Sequence, residues 1–376
     1  MKIVFITNVC AHYVVGLFEC LAKRYDIEFY FTGGHESYWR KANEFKYEKF
    51  KGQTLKGWML GSKIRLTPGL IGVLFKPYDV MIKTLDDRLA LLMLFLFSRM
   101  MHRPFILWTG VWAHPQTWFH RLTFQGTRLI YQHSDAIVVY GEHVRRYLIE
   151  LGIEPQKIFC APHATDNNNY NQEATAVDKA KLKKKLGLAE GQSVVLFVGR
   201  FEPGKGLEHL IRAVHDLQAI KPVLLMVGDG SYEHEIRRQC EARQMPYRLA
   251  GHVPNKELYQ YYALADVFVL PSVTTSDFKE PWGFVINEAM NQGCPVVATD
   301  AVGAASGGLV QEGQTGFIVP EADSTALSIA LKKILTDEDL KAAMGRQART
   351  RIAAWGHPQM ADGFTEAIAY VSRKRA

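Results

Sequence analysis

Short apolar runs of strand length alternate along the chain with stretches that carry helical spacing. Most of the runs are continuous Val, Ile, Leu and Phe, which is typical of strands that are covered by helices on both faces. In the first half they read KIVFIT, IEFYFTG, YDVMIKTL, PFILWTG and DAIVVYG, and in the second half VVLFVGR, PVLLMVGDG, YRLAGH, DVFVLPS, PVVATD and GFIVP. This repeated strand–helix alternation predicts an α/β fold with two doubly wound domains.

The break between the two domains is predicted in the stretch APHATDNNNYNQEATAVDKA at 161–180, where Asn, Thr and Ala replace the apolar pattern. A chain of 376 residues is long enough for two cores. We therefore predict a first domain over 1–168 and a second over 180–355.

The composition, with 48% hydrophobic and 22% charged residues, is that of a soluble globular protein. Five scattered cysteines without a CxxC pair favour reduced thiols and no structural zinc. The most apolar run, LALLMLFLF at 89–97, has less than half of the roughly 20 residues of a membrane span, so it predicts a buried helix. The first residues read as a strand rather than as a secretory signal, and we expect a cytoplasmic protein.

The formal net charge of +7 is unevenly distributed. Residues 1–170 contain 21 Lys and Arg against 14 Asp and Glu, whereas the remainder contains 24 of each. Cations and aromatic residues interleave within 41–65: Lys46, Lys49, Lys51, Lys56, Lys63 and Arg65 with Phe45, Tyr47, Phe50 and Trp58. This segment is either a solvated surface or a contact for an anionic partner such as a phospholipid face. Nucleic acid is not expected, because no recognition motif accompanies the charge.

The sequence GRFEPGKGLEHLI follows one predicted strand. Gly199, Gly204 and Lys205 have the spacing of a phosphate-binding P-loop, but Gly206 stands where that motif needs a magnesium-binding hydroxyl. A nucleoside triphosphatase is therefore disfavoured. Two interpretations are left: a helix N-terminus with Arg200 and Lys205 that binds a diphosphate, or a glycine turn with two surface cations.

Two other strand ends carry weaker signals. Gly228 permits close approach of another group, and Asp229 is either a helix cap or a site residue. His252 and Val253 follow the next strand, where an exposed backbone edge suits a nucleotide base. A structural role for the histidine is the alternative.

The stretch KEPWGFVINEAMNQGCPVVATD at 279–300 places two glutamates eight residues apart. Glu280 precedes a short predicted helix and Glu288 lies inside it. The helix begins near Phe284, so the backbone amides of Phe284 and Val285 are expected to bind a phosphate. We interpret Glu280 as an acceptor for sugar hydroxyls and Glu288 as an acceptor for a ribose.

Taken together, these motifs resemble the nucleotide-sugar domain of retaining glycosyltransferases of the GT-B fold, family 4. The matching motifs are GRFEPGKG, VGDGS, GHV, ADVFVLPS, EPWGFVINEAMNQGCPVVATD and QEGQTGFIVP, in the order of the family. The resemblance is strong over 185–350 and covers 1–165 by general layout. It implies two Rossmann-like domains facing across a cleft, with the amphipathic segment 356–376 packed back on the first domain.

The resemblance also implies roles for individual residues. Arg200 and Lys205 would grip the donor diphosphate, Glu280 would contact the transferred sugar, and His114 sits where the family commonly has an active-site histidine. A polar loop histidine is the alternative for His114. The implied donor contacts are Gly16, Gly199, Arg200, Lys205, Gly228, Asp229, His252, Val253, Gly283, Phe284, Val285 and Glu288.

The first domain departs from the family pattern at the loop after the first strand. The family often has a Gly-Gly pair there, whereas this chain has only Gly16. Asp86 and Asp87 follow another strand, where they either face the acceptor or cap the next helix. The candidate acceptor contacts are His12, Tyr13, Asp86 and Asp87.

The predicted function is transfer of a hexose-type unit from a UDP- or GDP-linked sugar to a lipid-linked or polysaccharide acceptor at the inner membrane face. The resemblance implies that the anomeric configuration is retained. No metal or other cofactor is expected, because LDDR at 85–88 contains the only adjacent aspartate pair and belongs to the first domain. A glycosidase is disfavoured, since one carboxylate lies two turns into a helix. A nucleotide-sugar epimerase of the same fold and a binding protein without turnover are alternatives.

Overall fold

The structure is a computed structural model that describes residues 1–33, 49–60, 64–114 and 118–374. It divides into two compact units. Unit 1 comprises Met1–Thr165 together with Gly356–Ala376, and unit 2 comprises Asp166–Trp355.

Unit 1 is built on a parallel sheet of seven strands in the order β3-β2-β1-β6-β7-β8-β9, with a separate antiparallel hairpin formed by β4 and β5. The strands are β1 (Lys2–Thr7), β2 (Asp26–Phe31), β3 (Lys51–Thr54), β4 (Trp58–Leu60), β5 (Ile64–Leu66), β6 (Val80–Thr84), β7 (Phe105–Thr109), β8 (Ala136–Val139) and β9 (Ile158–Cys160). The first five helices are α1 (Val15–Arg24), α2 (Gly69–Leu74), α3 (Arg88–Met100), α4 (Trp118–His133) and α5 (Glu142–Glu150).

Unit 2 is built on a parallel sheet of six strands in the order β12-β11-β10-β13-β14-β15. The strands are β10 (Val194–Val198), β11 (Val223–Val227), β12 (Tyr247–Leu249), β13 (Val267–Leu270), β14 (Val296–Thr299) and β15 (Gly316–Val319). The helices are α6 (Ala176–Leu186), α7 (Leu207–His215), α8 (Glu233–Ala242), α9 (Leu258–Leu264), α10 (Phe284–Asn291), α11 (Gly303–Ser306), α12 (Ser324–Thr336) and α13 (Glu338–Ala353).

The last helix, α14 (His357–Arg373), belongs to unit 1 and packs against α1, β8 and β9. Arg24 on α1 forms an ion pair with Asp362 at 2.7 Å. A Cβ on Gly363 would lie only 2.4 Å from the carbonyl oxygen of Cys160. The glycine therefore lets α14 pack closely on the end of β9.

The predicted α/β class is confirmed, and each of the apolar runs lies on a strand of one of the two sheets. The central strands β6, β7, β8, β10, β11, β13 and β14 are buried along their whole length. Burial on both faces is the reason that their sequences are continuous apolar runs.

The prediction of a buried helix over 89–97 is wrong for one face. α3 buries Leu91 and Leu94, but Leu89, Leu92 and Leu96 are exposed. Continuous hydrophobicity cannot distinguish a helix buried all round from one that presents an apolar outer face. In the described part of the chain, every helix is too short or too polar to cross a bilayer.

Candidate functional site

The turn after β10 is shaped by a glycine that the packing of unit 2 requires. Gly206 lies directly before α7 with φ +63°, and a Cβ there would be 2.0 Å from the carbonyl oxygen of Pro271. Any side chain would clash with this backbone atom. The missing P-loop hydroxyl thus has a structural cause, which supports the sequence argument against a triphosphatase.

Lys205 and Glu280 form an ion pair at the carboxyl ends of β10 and β13. The Lys205 ammonium group contacts Glu280 Oε2, and the Ser272 hydroxyl donates to the same oxygen at 3.1 Å. The two charged side chains are 13% and 11% exposed. The structure therefore brings together two residues that the sequence assigned separately to the diphosphate and to the sugar.

The backbone around Glu280 is fixed from the other side by the segment that leads into α11. The Glu280 carbonyl accepts a hydrogen bond from the Gly303 amide at 3.0 Å, and Glu280 forms a parallel bridge with Val302. Gly283 then adopts φ +96° and α10 begins at Phe284, as predicted. Glu280 is consequently held just ahead of the positive end of the α10 dipole.

Glu288 lies inside α10, as predicted, and its carboxylate is buried. It accepts a hydrogen bond from the Tyr262 hydroxyl at 2.7 Å and a second from Tyr170. Burial raises the pKa of the Glu288 carboxyl above its usual value, while the two hydroxyls act in the opposite direction. Both tyrosines were missed by the sequence reasoning, and the ribose contact of Glu288 stays a prediction.

Arg200 lies on the loop after β10 and forms an ion pair with Glu202. Its guanidinium group donates to Glu202 at 2.7 Å, and the two side chains are 48% and 40% exposed. An exposed arginine of this kind can change partner at low cost, so its contact with a diphosphate stays a prediction.

The strand-end glycines Gly199 and Gly228 lie against each other, because a Cβ on Gly228 would be 2.0 Å from the Gly199 carbonyl oxygen. Asp229 next to them is exposed, and its carbonyl accepts from the Phe201 amide at 2.7 Å. The alternative that Asp229 caps a helix is wrong, since the N-cap of α8 is Tyr232.

The segment after β12 is hydrogen-bonded to the carboxyl end of β11, because the Gly228 amide donates to the Gly251 carbonyl oxygen at 2.9 Å. His252 is exposed and Val253 is buried. Base recognition by this segment stays a prediction.

Asp86 in unit 1 is paired with a lysine that the sequence analysis did not single out. The ammonium group of Lys83 is fully buried on β6 and contacts Asp86 Oδ1. Asp86 Oδ2 accepts from the Thr84 hydroxyl and from the Asn8 amide, the latter at 3.1 Å. Asp86 is thereby fixed at the carboxyl ends of β1 and β6.

Asp87, in contrast, is the N-cap of α3 and accepts from the Ala90 amide at 3.4 Å. It adopts φ +41°, in the left-handed region. Burial raises the pKa of this carboxyl. The capping alternative therefore describes its geometry, and an acceptor contact stays a prediction.

Gly16 lies in the first turn of α1, where a Cβ would be 2.2 Å from the His357 ring. His357 Nε2 in turn lies 2.8 Å from the Tyr13 carbonyl oxygen. Packing of α14 thus accounts for this glycine without a ligand. His12 is exposed, with its ring 5.3 Å from that of Tyr13.

His114 lies among aromatic rings. Its ring centroid is 4.4 Å from that of Phe124 on α4 and 5.8 Å from that of Tyr147 on α5. Such packing is compatible with a structural loop histidine, and its role near a sugar stays a prediction.

The basic, aromatic segment 41–65 is only partly described, because Phe45, Lys46, Tyr47 and Lys63 lie outside the described residues. Lys49 and Lys51 form ion pairs with Glu19 and Asp26. Phe50 is buried between Phe18 and Phe29, whereas Trp58 is exposed. Of the aromatic residues of this segment that the structure describes, Phe50 thus belongs to the core and only Trp58 faces solvent.

All five cysteines are free thiols. Within the ranges that the structure describes, there is no group of three His, Cys, Asp or Glu side chains arranged to hold a metal ion.

Residues 178–351, which contain the Lys205–Glu280 pair, match the model of the family described as glycosyl transferases group 1. The chain contains a glycosyl transferases group 1 domain. This domain lies within unit 2.

The group 1 domain and its surroundings have curated relatives. A GDP-mannose-dependent monoacylated alpha-(1-6)-phosphatidylinositol monomannoside mannosyltransferase of Corynebacterium glutamicum is 29% identical over 250 residues, which cover 65% of this chain and 64% of that protein. A D-inositol 3-phosphate glycosyltransferase of Nocardia farcinica is 28% identical over 256 residues, which cover 65% of this chain and 54% of that protein. The matches thus span less than two thirds of the length of these relatives.

Solved structures match nearly the whole chain. HepE of Anabaena in complex with UDP has a TM-score of 0.76 at 21% identity and covers 98% of this chain and 100% of that one. A glycosyltransferase of Rickettsia africae has a TM-score of 0.77 at 16% identity and covers 98% of both chains. These likenesses confirm the predicted GT-B fold class.

Proposed function

We propose that this chain transfers a hexose-type sugar from a nucleoside diphosphate sugar to a lipid-linked or glycan acceptor. The observation that carries the proposal is the Lys205–Glu280 ion pair at the strand ends of the group 1 domain, directly before α10. Ligands of parallel α/β sheets bind at this edge. A cation and a carboxylate held together there suit a diphosphate and a sugar that occupy adjacent positions.

The donor is proposed to be UDP- or GDP-linked. The relative from Corynebacterium glutamicum and one from Mycolicibacterium smegmatis are named as GDP-mannose-dependent mannosyltransferases, and structures of HepE contain UDP or UDP-glucose. The base and the sugar are therefore the first properties to measure.

In the proposed reaction Lys205 and Arg200 neutralise the departing diphosphate, together with the amides at the start of α10. Lys205 exchanges the Glu280 carboxylate for a phosphate oxygen when the donor binds. Glu280 then accepts hydrogen bonds from the hydroxyls of the sugar. The charge of the leaving group is taken by protein cations, so we propose that transfer requires no metal ion. Retention of the anomeric configuration is proposed from the resemblance to retaining glycosyltransferases alone.

The acceptor is proposed to be lipid-linked or a polysaccharide precursor, and the protein to work at the inner membrane face. The relatives that act on phosphatidylinositol monomannosides support a lipid-linked acceptor. Among the candidate acceptor contacts of unit 1, Asp86 has the most defined geometry, because Lys83 and Asn8 fix its carboxylate.

Isothermal titration calorimetry with UDP, GDP, ADP and dTDP tests the donor site on the wild type, on Lys205→Ala and on Lys332→Ala. Lys332 is an exposed lysine of α12 and serves as the matched control. One nucleotide should bind to the wild type and to the control, and Lys205→Ala should bind it at least about tenfold more weakly. If no nucleotide binds to the wild type, the proposed donor site is wrong.

Turnover is then measured with the sugar donors of the nucleotide that binds. Transfer in the presence of EDTA tests metal independence, and NMR of the product gives the anomeric configuration. Release of a free epimerised sugar without an acceptor would identify an epimerase. Binding without any turnover would identify a binding protein.

A further inference from the structure

Unit 1 concentrates exposed apolar side chains on three neighbouring elements: the β4–β5 hairpin, α2 and α3. Fifteen large apolar side chains are exposed in the described residues, and ten of them lie within 58–101. These ten, which we call the apolar surface, are Trp58, Met59, Leu60, Ile71, Phe75, Leu89, Leu92, Leu96, Met100 and Met101. Patches of this kind on a soluble protein mark interaction sites.

The three elements adjoin one another. α3 packs against β5 and α2, and the rings of Phe75 and Phe97 lie 5.6 Å apart in an edge-to-face contact. Trp58 of the hairpin, Ile71 of α2 and Leu89 of α3 line one groove of about 220 Å³. The apolar surface is therefore one region rather than a set of scattered side chains.

α3 shows why this region is unusual. Leu91 and Leu94 face the core of unit 1, as expected of an amphipathic helix. The exposed residues Leu89, Leu92 and Leu96 follow one another at spacings of three and four, so they form a stripe on the outer face. The outer face of a helix in a soluble protein is ordinarily polar, and here it is apolar.

The segment that carries the apolar surface is strongly basic. Residues 49–103 contain ten Lys and Arg against three Asp, and this excess of seven positive charges equals the net charge of the whole chain. Four of these cations form ion pairs with acids outside the segment: Lys49 with Glu19, Lys51 with Asp26, Lys76 with Glu28 and Arg99 with Asp135. The remaining cations include Lys56 just before β4, Arg65 on β5 and Arg103 after α3.

Apolar side chains with cations beside them match the two layers of an anionic bilayer surface, the acyl boundary and the phosphates. A second copy of this chain would bring a like-charged surface against the first and would be repelled. The charge therefore favours a lipid surface over self-association.

We propose that the apolar surface docks this protein on an anionic lipid bilayer, with its apolar side chains at the acyl boundary and the flanking cations at the phosphates. The biological purpose rests on the proposed transfer to a lipid-linked acceptor. Vesicle binding needs neither donor nor turnover, so a failure of the docking proposal and a failure of the donor site are separate results.

Cosedimentation with vesicles of phosphatidylcholine and phosphatidylglycerol measures the docking directly. The double variant Leu92→Ser/Leu96→Ser removes two side chains of the outer stripe, and Phe75→Ser is an independent variant on the neighbouring turn. Val177→Ser/Ile329→Ser is the matched control, because both residues are exposed apolar residues of unit 2. The α3 double variant should bind about tenfold more weakly or worse, while the control binds like the wild type.

The charge contribution is tested with Lys56→Glu against Lys332→Glu, both at exposed lysines. Lys56→Glu should weaken binding about fivefold or more, and pure phosphatidylcholine vesicles should bind poorly. The circular dichroism spectrum and the midpoint of thermal unfolding should be unchanged in all of these variants, which shows that they are folded.

Three results would overturn the docking proposal. The first is wild-type protein that does not bind the anionic vesicles. The second is equal loss of binding in the unit 2 controls. The third is a wild-type dimer in light scattering that Leu92→Ser/Leu96→Ser converts to a monomer, which would assign the surface to a second copy of the chain.

Discussion

The side chains of Lys205 and Glu280 stand 75 residues apart in the chain and form a nearly buried ion pair in unit 2. Removal of one member of such a pair leaves the other charge without its partner, at a cost of about 3–5 kcal/mol. A bound diphosphate supplies an alternative partner for the lysine. The pair is therefore suited to exchange its contacts when a donor arrives.

Lys205→Ala should lower nucleotide diphosphate affinity about 10- to 100-fold, because a charge-assisted phosphate contact is lost. The double variant Lys205→Ala/Glu280→Gln distinguishes this role from simple neutralisation of Glu280. If Lys205 contacts the phosphates, the double variant binds as weakly as Lys205→Ala in calorimetry. Recovery of wild-type affinity in the double variant would show instead that Lys205 only balances the carboxylate.

Glu280→Gln should leave nucleotide affinity within a few-fold of the wild type and lower kcat for sugar transfer about 100-fold. The amide keeps the shape of the side chain but removes the charge that orients the sugar hydroxyls as positive charge develops on the ring. Initial rates with the identified donor measure the effect. Equal rates for variant and wild type would remove Glu280 from the reaction.

Gly206→Ser should destabilise unit 2 by about 3 kcal/mol or more, because the new Cβ meets the Pro271 carbonyl oxygen at 2.0 Å in addition to the left-handed strain. Gly313→Ser is the matched control: its φ is +72°, and nothing lies within 4 Å of an added Cβ. Strain alone should cost the control about 1–2 kcal/mol.

Urea unfolding of the two glycine variants gives the comparison. Equal losses at the two positions would contradict the requirement for glycine at 206. Gly206→Ser supplies the hydroxyl of a P-loop, and we expect no magnesium-dependent triphosphatase activity from it.

The strands that the sequence predicted and those that it missed differ in burial. The central strands are continuous apolar runs because both of their faces are covered. β3 reads KGQT and lies at the sheet edge with little burial, so no apolar run marks it. β9 has three residues, too few for a pattern. The start of α6 at Ala176 fell within the predicted linker 161–180, although a capping box of Thr175 and Asp178 marks it.

The candidate site was predictable in its location but not in its contacts. Motif spacing located Glu280 before α10 and Glu288 inside it. The pairing of Lys205 with Glu280 depends on the approach of two strand ends that are distant in sequence, which the spacing does not encode. The contacts of Tyr170 and Tyr262 with Glu288 are likewise not encoded in the spacing. Lys83, which pairs with Asp86, lies inside an apolar run, and no local pattern marks it.

The stability of unit 2 should depend on pH through Glu288. Burial raises the pKa of this carboxyl above its usual value of about 4.3, so the folded state favours the neutral form. The stabilisation is therefore fully present below pH about 4.3 and is lost as the pH rises through the raised pKa.

Glu288→Gln should remove this dependence, because an amide does not titrate. The free energy of unfolding of Glu288→Gln relative to the wild type should rise between pH 4.5 and 7, by about 1.4 kcal/mol for each unit by which the pKa is raised. Tyr262→Phe deletes a hydroxyl that stabilises the charged carboxylate. The free energy of unfolding of Tyr262→Phe relative to the wild type should therefore fall as the pH rises from 4.5 to 7. Urea unfolding at each pH gives both differences, and a constant difference from pH 4.5 to 8 for either variant would contradict the assignment.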